Sequence, residues 1–257
     1  MSGPRIAASP RPGCSIIERA ALNEVSTLCL PPGARILDAP CGRGLVAASL
    51  RDAGFEVYGA DIDPLAVDVL GDDFVEADLR TRLPWADGAF DAAFTIEGIE
   101  HLEDRFAWLR ELHRLLRDGG TLVLTTPNIV SLRSRVRFLL SGFYHHDPRP
   151  LREAAPTPLH HVGVSTYSEI RYALHTCGFE LIATRATHVK PVSHLYAVLA
   201  PWIWIYTWVA FRKERDVAQR RVNREIRAAQ GSSAVLFGEN LLFVARKMRP
   251  PLRLPAA

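Results

Sequence analysis

The chain has 257 residues, 48% of them hydrophobic and 23% charged, with a formal net charge of +3. This length and composition suffice for one domain with a full hydrophobic core. The small net charge disfavours a nucleic-acid partner. The cysteines are too widely separated in the chain for a zinc site, so reduced thiols and a cytoplasmic location are expected; they are Cys14, Cys29, Cys41 and Cys177.

Apolar runs between turn residues predict alternating strands and helices, which is typical of a doubly wound α/β fold. The predicted helices cover 15–30, 45–53, 105–117 and 167–177, with another starting at Asp63-Pro64, where Asp63 is expected to act as the N-cap. The predicted strands cover 35–38, 56–60, 73–76, 91–95, 121–125, 179–185 and 241–246.

We expect a flexible tail over 1–14 and one domain over 15–250. Two insertions interrupt its alternating pattern, at about 128–164 and about 188–238. Because both fall outside the regular alternation, they are expected to carry the acceptor site or a lid.

The turn after the first strand predicts a site for a nucleoside-bearing ligand. Asp38 ends the strand, Gly42 and Gly44 follow in the turn, and Asp61 ends the next strand. Glycines let the backbone approach a ligand closely. The third glycine of the dinucleotide-binding fingerprint is replaced by Ala47, and a carboxylate in the turn would repel a pyrophosphate. The pattern favours a nucleoside with a positively charged tail.

The order of these motifs resembles that of the class I S-adenosylmethionine-dependent methyltransferases. Asp38–Gly44 resembles motif I, with Pro40 in place of its first glycine, and Val57–Pro64 resembles motif II. Glu76–Leu79, Leu83–Glu97, Glu97–Leu102 and Leu116–Leu124 match later segments in the same order. The resemblance implies a Rossmann-like, mixed seven-stranded sheet with helices on both faces.

It also implies S-adenosylmethionine as the cofactor. Its methionine part is expected at the turn, its ribose at Asp61 and its adenine at Asp78 or Leu79, with the end of the fourth strand nearby. We expect the Cys41 thiol to be a small packing group, not a reactive one. The implied cofactor-binding residues are Asp38, Ala39, Pro40, Cys41, Gly42, Gly44, Asp61, Ile62, Asp78, Leu79, Thr95, Ile96 and Glu97.

Methyl transfer can proceed largely by positioning, but an oxygen or nitrogen acceptor also benefits from a base such as histidine. His101, His160 and His161 are the candidates, and His101 is equally well explained as a structural residue. Asn128 ends the fifth strand and is expected to touch the acceptor. A metal site using the pairs His145-His146 and His160-His161 with Asp147 is disfavoured, because adjacent side chains point apart in extended chain; no metal is expected.

Residues 195–211 carry no charge and are rich in tryptophan and tyrosine, and residues 212–227 carry a net charge of +4. Such a combination is typical of a segment at a membrane surface. A helix of 17 residues is about 25 Å long, shorter than the hydrocarbon core of about 30 Å, which disfavours a span. We expect residues 195–227 to contact the inner face of the membrane, or to form a lid or a dimer contact. Monomer and homodimer both remain open.

The favoured function is methyl transfer to a hydroxyl, or an amine, of a small or lipid-linked acceptor. Residues 125–135 and 163–178 are similar to bacterial methyltransferases of envelope and surface-glycan pathways, which favours a sugar. The alternatives are a quinone precursor or a lipid as acceptor, or a non-catalytic scaffold that binds the cofactor.

Overall fold

The computed structural model describes residues 6–144 and 150–248 of the chain. Within these residues, seven strands form one sheet in the order β3-β2-β1-β4-β5-β7-β6. The sheet is parallel except for β7, which lies antiparallel between β5 and β6. The expected mixed sheet is confirmed. The strands are β1 (Arg35–Asp38), β2 (Glu56–Asp61), β3 (Phe74–Glu76), β4 (Phe90–Thr95), β5 (Leu116–Pro127), β6 (Phe179–Ala186) and β7 (Asn240–Lys247).

Side-chain caps fix the starts of several helices. Ser15 and Glu18 form a capping box on the first helix, and Thr166 and Glu169 form one on the sixth. Asp104 caps the fourth helix at the N–H of Ala107. The helices are α1 (Ile16–Glu24), α2 (Leu45–Asp52), α3 (Val67–Leu70), α4 (Arg105–Leu115), α5 (Leu132–Ser141), α6 (Tyr167–Thr176), α7 (Ala200–Phe211), α8 (Val217–Gln230) and α9 (Ser233–Phe237).

Helices cover both faces of the sheet and enclose two hydrophobic clusters. On one face α4 and α6 pack around Trp108 and Tyr167. On the other face α1 and α2 pack through Leu22 and Val46. Both faces of the central strands are therefore buried, which explains their nearly continuous apolar sequences.

The order of the strands reverses on either side of β1, which pairs with β2 on one side and β4 on the other. The β1–β4 boundary is the switch point of the sheet, where the carboxyl ends of parallel strands leave a crevice for ligands. The structure thereby predicts the location of the site before any side chain is considered.

The N-terminal segment differs from the expected flexible tail. Among its described residues, Ala8 and Cys14 are buried. The backbone N–H of Arg11 donates to Ser49 Oγ at 3.0 Å, and its guanidinium donates to Asp52 Oδ1 at 2.6 Å. The expectation of a tail is wrong for residues 6–14, because contacts with α2, invisible in the local sequence, hold them.

Two predicted boundaries also differ. The first helix ends at Glu24 and a short 3₁₀ helix follows over Val25–Thr27. β5 begins at Leu116, five residues earlier than expected, because the Arg117–Gly120 segment extends along the start of β4 with a shift in register between Phe90 and Ala92.

The insertion before β7 begins and ends beside the same two strands. Thr187, just after β6, donates its N–H to the carbonyl of Asn240 at 3.1 Å, and Val189 pairs with Gly238. Between them lie a 3₁₀ helix (Pro191–Leu199), α7, α8 and α9. Since Ala186 pairs with Leu241, this segment leaves and rejoins the sheet at one edge.

Candidate active site

A cavity of about 710 Å³ opens at the carboxyl ends of β1, β2 and β4. Its size lies within the range of about 300–1,000 Å³ that is usual for small-molecule sites. The walls come from the turn after β1, the ends of β2 and β4, the first turn of α1 and the loop over 156–162.

The turn after β1 has the backbone geometry that its glycines predict. Gly42 and Gly44 have φ angles of 51° and 73°, in the left-handed region. A Cβ atom on Gly44 would lie 3.1 Å from Val69 Cβ, so α2 approaches α3 closely at this point. Pro40, preceded by a cis peptide bond, stands where a Cβ atom on Gly98 would collide with its ring. Proline is therefore accommodated by the glycine at the end of β4.

Asp61 links the ends of β1 and β2 through backbone contacts. Its Oδ2 accepts from the N–H of Gly42 at 2.7 Å and its Oδ1 from the N–H of Asp63 at 3.0 Å. The side chain is buried at the cavity wall. Two backbone donors fix its orientation, and a carboxylate so held still has lone pairs for the two hydroxyls of a ribose.

Asp38 is a buried acid without a full set of partners. It lines the cavity, and among the described residues its Oδ2 has no hydrogen-bond partner. Burial raises its pKa well above the usual range, and the charges of Glu18 and Asp61 raise it further. A cationic group in the cavity would satisfy this carboxyl and favour its ionised form.

The side chains of Cys41 and Asp63 also lie at this end of the sheet. Burial, reinforced by Asp38 and Asp61, raises the pKa of the Cys41 thiol, which supports the interpretation of a packing residue. Asp63 precedes the 3₁₀ turn at Pro64, but its side chain makes no cap hydrogen bond and lines the cavity instead. The expectation that capping accounts for Asp63 is therefore wrong.

The expected adenine side is lined by Asp78, Leu79 and Arg80. Asp78 Oδ2 accepts from the Arg80 guanidinium at 2.6 Å, and this contact lowers the pKa of the carboxyl. Asp78 is thus ionised and oriented by its neighbour. A carboxylate has further lone pairs, so Asp78 is able to accept a hydrogen bond from a ligand such as the expected adenine.

Glu97 closes the cavity at the end of β4 in a strained conformation, with a φ of 50°. Its Oε1 accepts from Thr125 Oγ1 at 3.0 Å and its Oε2 from Asn240 Nδ2 at 2.7 Å. Burial raises the pKa of this carboxyl, and the two hydrogen bonds partly offset the rise. The site is therefore connected directly to the first residue of β7.

Four expected site residues lie behind the cavity wall. Ala39 donates its N–H to Phe94, and Gly44 starts α2. Thr95 is buried, and its hydroxyl accepts from Trp108 Nε1 at 3.2 Å. Asn128 is also buried, and its amide donates to the carbonyls of Val235 and Gly238. These residues position the wall and do not line it, so the expectation that Asn128 touches the acceptor is wrong.

Two candidate histidines meet at the rim of the cavity. His101 Nδ1 lies 3.3 Å from the carbonyl oxygen of His160, and both residues line the cavity. His161 lies outside the lining, with its ring 4.8 Å from that of His101. Gly163 makes this possible, because its N–H donates to Glu100 O at 2.8 Å and a Cβ atom there would collide with the Leu102 carbonyl.

Glu100, His101 and His161 form a group that could hold a metal ion, with their ligand atoms all within 4.8 Å of one another. The other histidines considered for a metal, His145 and His146, lie with Asp147 outside the described residues. The absence of a metal stays a prediction.

Sequence reasoning missed part of the wall. Glu18 of α1 and the Pro156–Leu159 segment reach the cavity only through the tertiary fold. The acidic first turn of α1 and the prolines of the loop are common features of helices and loops, so no local signal marked them. The other lining residues that were not expected are Val46, Asp63, Leu65, Arg80, Gly98, Leu102, Glu103 and Val162.

Comparison with known proteins agrees with this geometry. A family model described as "Methyltransferase domain" matches residues 37–124. The "Ubiquinone biosynthesis O-methyltransferase" of Xanthomonas campestris pv. campestris is 32% identical over 143 residues, which cover 49% of this chain and 60% of that protein. The chain therefore spans less than two thirds of that relative's length.

Solved structures share the fold at low sequence identity. An S-adenosylmethionine-dependent methyltransferase from Aquifex aeolicus has a TM-score of 0.51 at 14% identity, covering 92% of this chain and 93% of that one. The 1,6-didemethyltoxoflavin-N1-methyltransferase of Burkholderia thailandensis, solved with S-adenosylhomocysteine, has a TM-score of 0.53 at 16% identity, covering 91% and 79%. Residues 37–124 therefore match a methyltransferase domain, and the sheet around them has the class I methyltransferase fold.

The charges of the cavity fit S-adenosylmethionine, which carries a sulfonium and an ammonium group. Seven acidic residues line it together with Arg80, a balance that favours a cation and opposes a pyrophosphate. The unsatisfied Oδ2 of Asp38 is suited to the ammonium, and the oriented Asp61 to the ribose. The acidic lining residues are Glu18, Asp38, Asp61, Asp63, Asp78, Glu97 and Glu103.

Proposed function

We propose that the protein transfers a methyl group from S-adenosylmethionine to a hydroxyl oxygen of an amphiphilic acceptor. The observation that carries this proposal is the cavity, which has a cation-binding floor at Asp38 and Asp61 and a histidine at its rim, His101. The match of residues 37–124 to a methyltransferase domain supports the same reaction.

The cofactor, when bound, supplies an electrophilic methyl group on a positively charged sulfur. Asp38 would hold the ammonium group of such a ligand and Asp61 its ribose, and these contacts would fix its position relative to the rim. Positioning of this kind provides much of the rate enhancement of a displacement reaction. As the new carbon–oxygen bond forms and the carbon–sulfur bond breaks, the acceptor oxygen must lose its proton.

We infer that His101, at the rim of the cavity, takes that proton. A carbonyl oxygen only accepts, so the contact of Nδ1 with the His160 carbonyl assigns the proton of the neutral ring to Nδ1. Nε2 is then the basic nitrogen of the imidazole. The pair of contacts with His160 and His161 also limits rotation of the ring.

The acceptor side of the cavity is largely apolar. Leu102, Leu159 and Val162 line it with two prolines of the same loop. This surface favours an aromatic ring or a lipid-linked group over a free sugar. A phenolic acceptor, such as a quinone precursor, is also favoured by the name of the Xanthomonas relative. A lipid-linked sugar is the second candidate, because its carrier would occupy the same surface.

Cofactor binding is tested by titration calorimetry with Asp61→Ala. Asp61 is proposed to accept from both ribose hydroxyls, and loss of two such charge-assisted hydrogen bonds, each contributing about 1.5–3 kcal/mol, should weaken binding of S-adenosylmethionine by about 100-fold or more. Asp68→Ala, an exposed acid on α3, is the matched control and should bind normally. Wild-type protein that binds no S-adenosylmethionine would refute the proposal and leave a fold without the cofactor.

The acceptor is tested by mass spectrometry with isotope-labelled S-adenosylmethionine. Phenols with polyprenyl chains, lipid-linked sugars and the matching free sugars are compared as substrates. We expect a mass gain of one methyl on the hydroxyl of an amphiphilic acceptor. Transfer to the free sugar alone would contradict the apolar acceptor side.

A further inference from the structure

Helix α7 exposes most of its apolar surface. Its packed stripe consists of Ala200, Ile203, Thr207 and Phe211, spaced by three or four residues as on one face of a helix. Ala200 and Ile203 join a small cluster with Leu132 and Leu236. The remaining residues of the helix are exposed; they are Pro201, Trp202, Trp204, Ile205, Tyr206, Trp208, Val209 and Ala210.

The exposure continues into the preceding 3₁₀ helix. Leu195 and Tyr206 are each 76% exposed, and Trp202 is 71% exposed. A contiguous apolar surface of this kind marks an interaction site in a folded protein. We call the exposed residues of 195–209 the aromatic face.

Basic residues directly follow the aromatic face. Residues 212–227 contain seven lysine or arginine residues and three acidic residues, a net charge of +4. Two of the three acids are engaged elsewhere, because Asp216 caps α8 and Glu225 pairs with Arg171 at 2.7 Å. The Arg212 guanidinium lies 4.4 Å from the centre of the Trp208 ring, so cation and indole meet at the border.

A second feature joins the aromatic and basic parts. A cleft of about 450 Å³ between α7 and α8 is lined by Trp204, Trp208 and Arg227. Its apolar walls and the guanidinium of Arg227 suit an acyl chain that carries an anionic headgroup. Aromatic rings beside arginines are the arrangement that proteins place at the boundary of lipid headgroups and acyl chains.

We propose that the aromatic face and the basic residues of 212–227 dock the protein on a bilayer surface rich in anionic phospholipid. The rings enter the headgroup boundary while the arginines meet lipid phosphates. This surface lies outside the lining of the cavity, so the proposal does not depend on the proposed methyl transfer.

The topology favours lying on the membrane over crossing it. By length and composition alone, Pro191–Phe211 could cross a bilayer. However, the segment leaves the sheet after β6 and returns at β7, where Ala186 pairs with Leu241. α8 follows α7 and packs against it. A single crossing would place α8 and β7 on the opposite side from β6, which the shared sheet forbids.

Docking would also orient the site. β6 runs parallel to the central strands. The segment therefore leaves the sheet on the side of the strands' carboxyl ends, where the cavity opens. Asn240, where the segment ends, donates to Glu97 of the cavity wall at 2.7 Å. A membrane-borne acceptor would therefore meet the protein at the edge that carries the site.

The test is flotation of the full chain with vesicles of phosphatidylcholine alone or mixed with phosphatidylglycerol. We expect binding to the mixed vesicles, release at high salt and little binding to phosphatidylcholine alone. The variant Leu195→Ser/Trp202→Ser/Tyr206→Ser should abolish flotation. Ile16→Ser/Ile182→Ser is the matched control, with exposed apolar residues elsewhere, and should float as the wild type does.

A second variant tests the charges. Arg215→Gln/Arg221→Gln/Arg224→Gln should lower partitioning onto the mixed vesicles by about 100-fold, at about fivefold for each arginine near the surface. Arg82→Gln/Arg110→Gln/Arg152→Gln removes the same charge from exposed positions outside the segment and should have little effect. Unchanged binding of S-adenosylmethionine by each variant shows that the domain is folded.

Four results would overturn the proposal. The wild type could stay with the unbound fraction for both vesicle types, or the aromatic-face variant could float normally. In the third, light scattering would find that the wild type is a dimer and the aromatic-face variant a monomer, which would assign the face to contact with a second copy of the chain. Resistance to extraction by alkaline carbonate would replace docking with membrane insertion.

Discussion

The cavity and the segment over 187–239 differ in how their functional side chains are surrounded: those of the cavity are held within the domain, and those of the segment are exposed. Two buried acids, Asp38 and Asp61, lie at the floor of the cavity, and the backbone N–H groups of Gly42 and Asp63 hold Asp61 in place. The segment carries exposed aromatic rings and solvated arginines, and helix α7 packs against the domain only through its inner stripe. The first region is organised before a ligand arrives, whereas the second presents a surface that gains stabilisation only from a partner.

The contrast separates ligand binding in the cavity from docking of the exposed face on a larger surface. Fixed, desolvated groups favour one small ligand of defined charge, and the cavity has the charges of a cation site. An exposed apolar face recognises a class of surfaces and not a single molecule. Changes in one region should therefore leave the function of the other intact, and the following predictions test that independence.

The largest effect is expected for His101→Gln. Loss of a general base typically lowers the rate by about 10²–10⁴-fold, whereas the glutamine keeps a polar group of similar size. We expect kcat to fall within this range while calorimetry shows unchanged binding of S-adenosylmethionine. His194→Gln, in the segment over 187–239, should retain kcat with a water-soluble acceptor.

An unchanged kcat in His101→Gln would assign His101 a structural role at the cavity rim. The pH profile gives an independent check, because the fall in wild-type rate at low pH, where a histidine base is protonated, should be missing from the variant. If His194→Gln lowered kcat equally, the independence of the two regions would be refuted.

A second prediction concerns Asp38→Asn, for which stability and binding should change in opposite directions. The pKa of Asp38 is raised in the folded protein, so the unfolded chain ionises at lower pH and stability is lost as pH rises between the two pKa values. Asparagine removes that loss, and Tm should rise by about 2–4 °C for each 1 kcal/mol relieved. Binding of S-adenosylmethionine should weaken.

The same linkage predicts a pH dependence of wild-type binding. A bound cation lowers the pKa of Asp38, so binding releases a proton and affinity increases as pH rises. Calorimetry in buffers of different ionisation enthalpy measures the proton directly. Proton uptake on binding, or a lower Tm for Asp38→Asn, would contradict the assignment of Asp38 as a buried acid whose pKa is raised in the folded protein.

The smallest effect on flotation is expected for substitutions at the end of α5, which test how far the docking surface extends. Leu139 and Leu140 are 82% and 80% exposed, and α5 packs against the 3₁₀ helix that leads into α7. Leu139→Ser/Leu140→Ser should reduce flotation a few-fold, since each exposed leucine contributes only part of its transfer energy at the headgroup boundary. Binding of S-adenosylmethionine should not change.

The matched control for this variant is Ile16→Ser/Ile182→Ser, as in the flotation test above. Flotation equal to that of the wild type would restrict the docking surface to α7 and α8. A loss as complete as that of the aromatic-face variant would instead place α5 at its centre.

Where local sequence decides structure, the predictions held. The parallel core strands were predicted within one or two residues, except for β5, because continuous apolar runs end at glycines, prolines and acids. The turn at Gly42 and Gly44 was predicted because its φ angles need glycine. The positions of Asp38, Asp61 and Asp78 at the cavity were predicted because the carboxyl ends of parallel strands lie at the same side of the sheet.

Residue type and spacing along the chain are enough to establish the order of the elements, the acidic turn and the aromatic composition of 195–211. Contacts between distant parts of the chain make Asn128 a buried scaffold residue, bring Asp63 to the cavity and pack residues 6–14 on α2. They also bring His101 and His160 together, through the close approach that Gly163 permits. These contacts join residues distant in the chain, and their geometry depends on packing that no local pattern encodes.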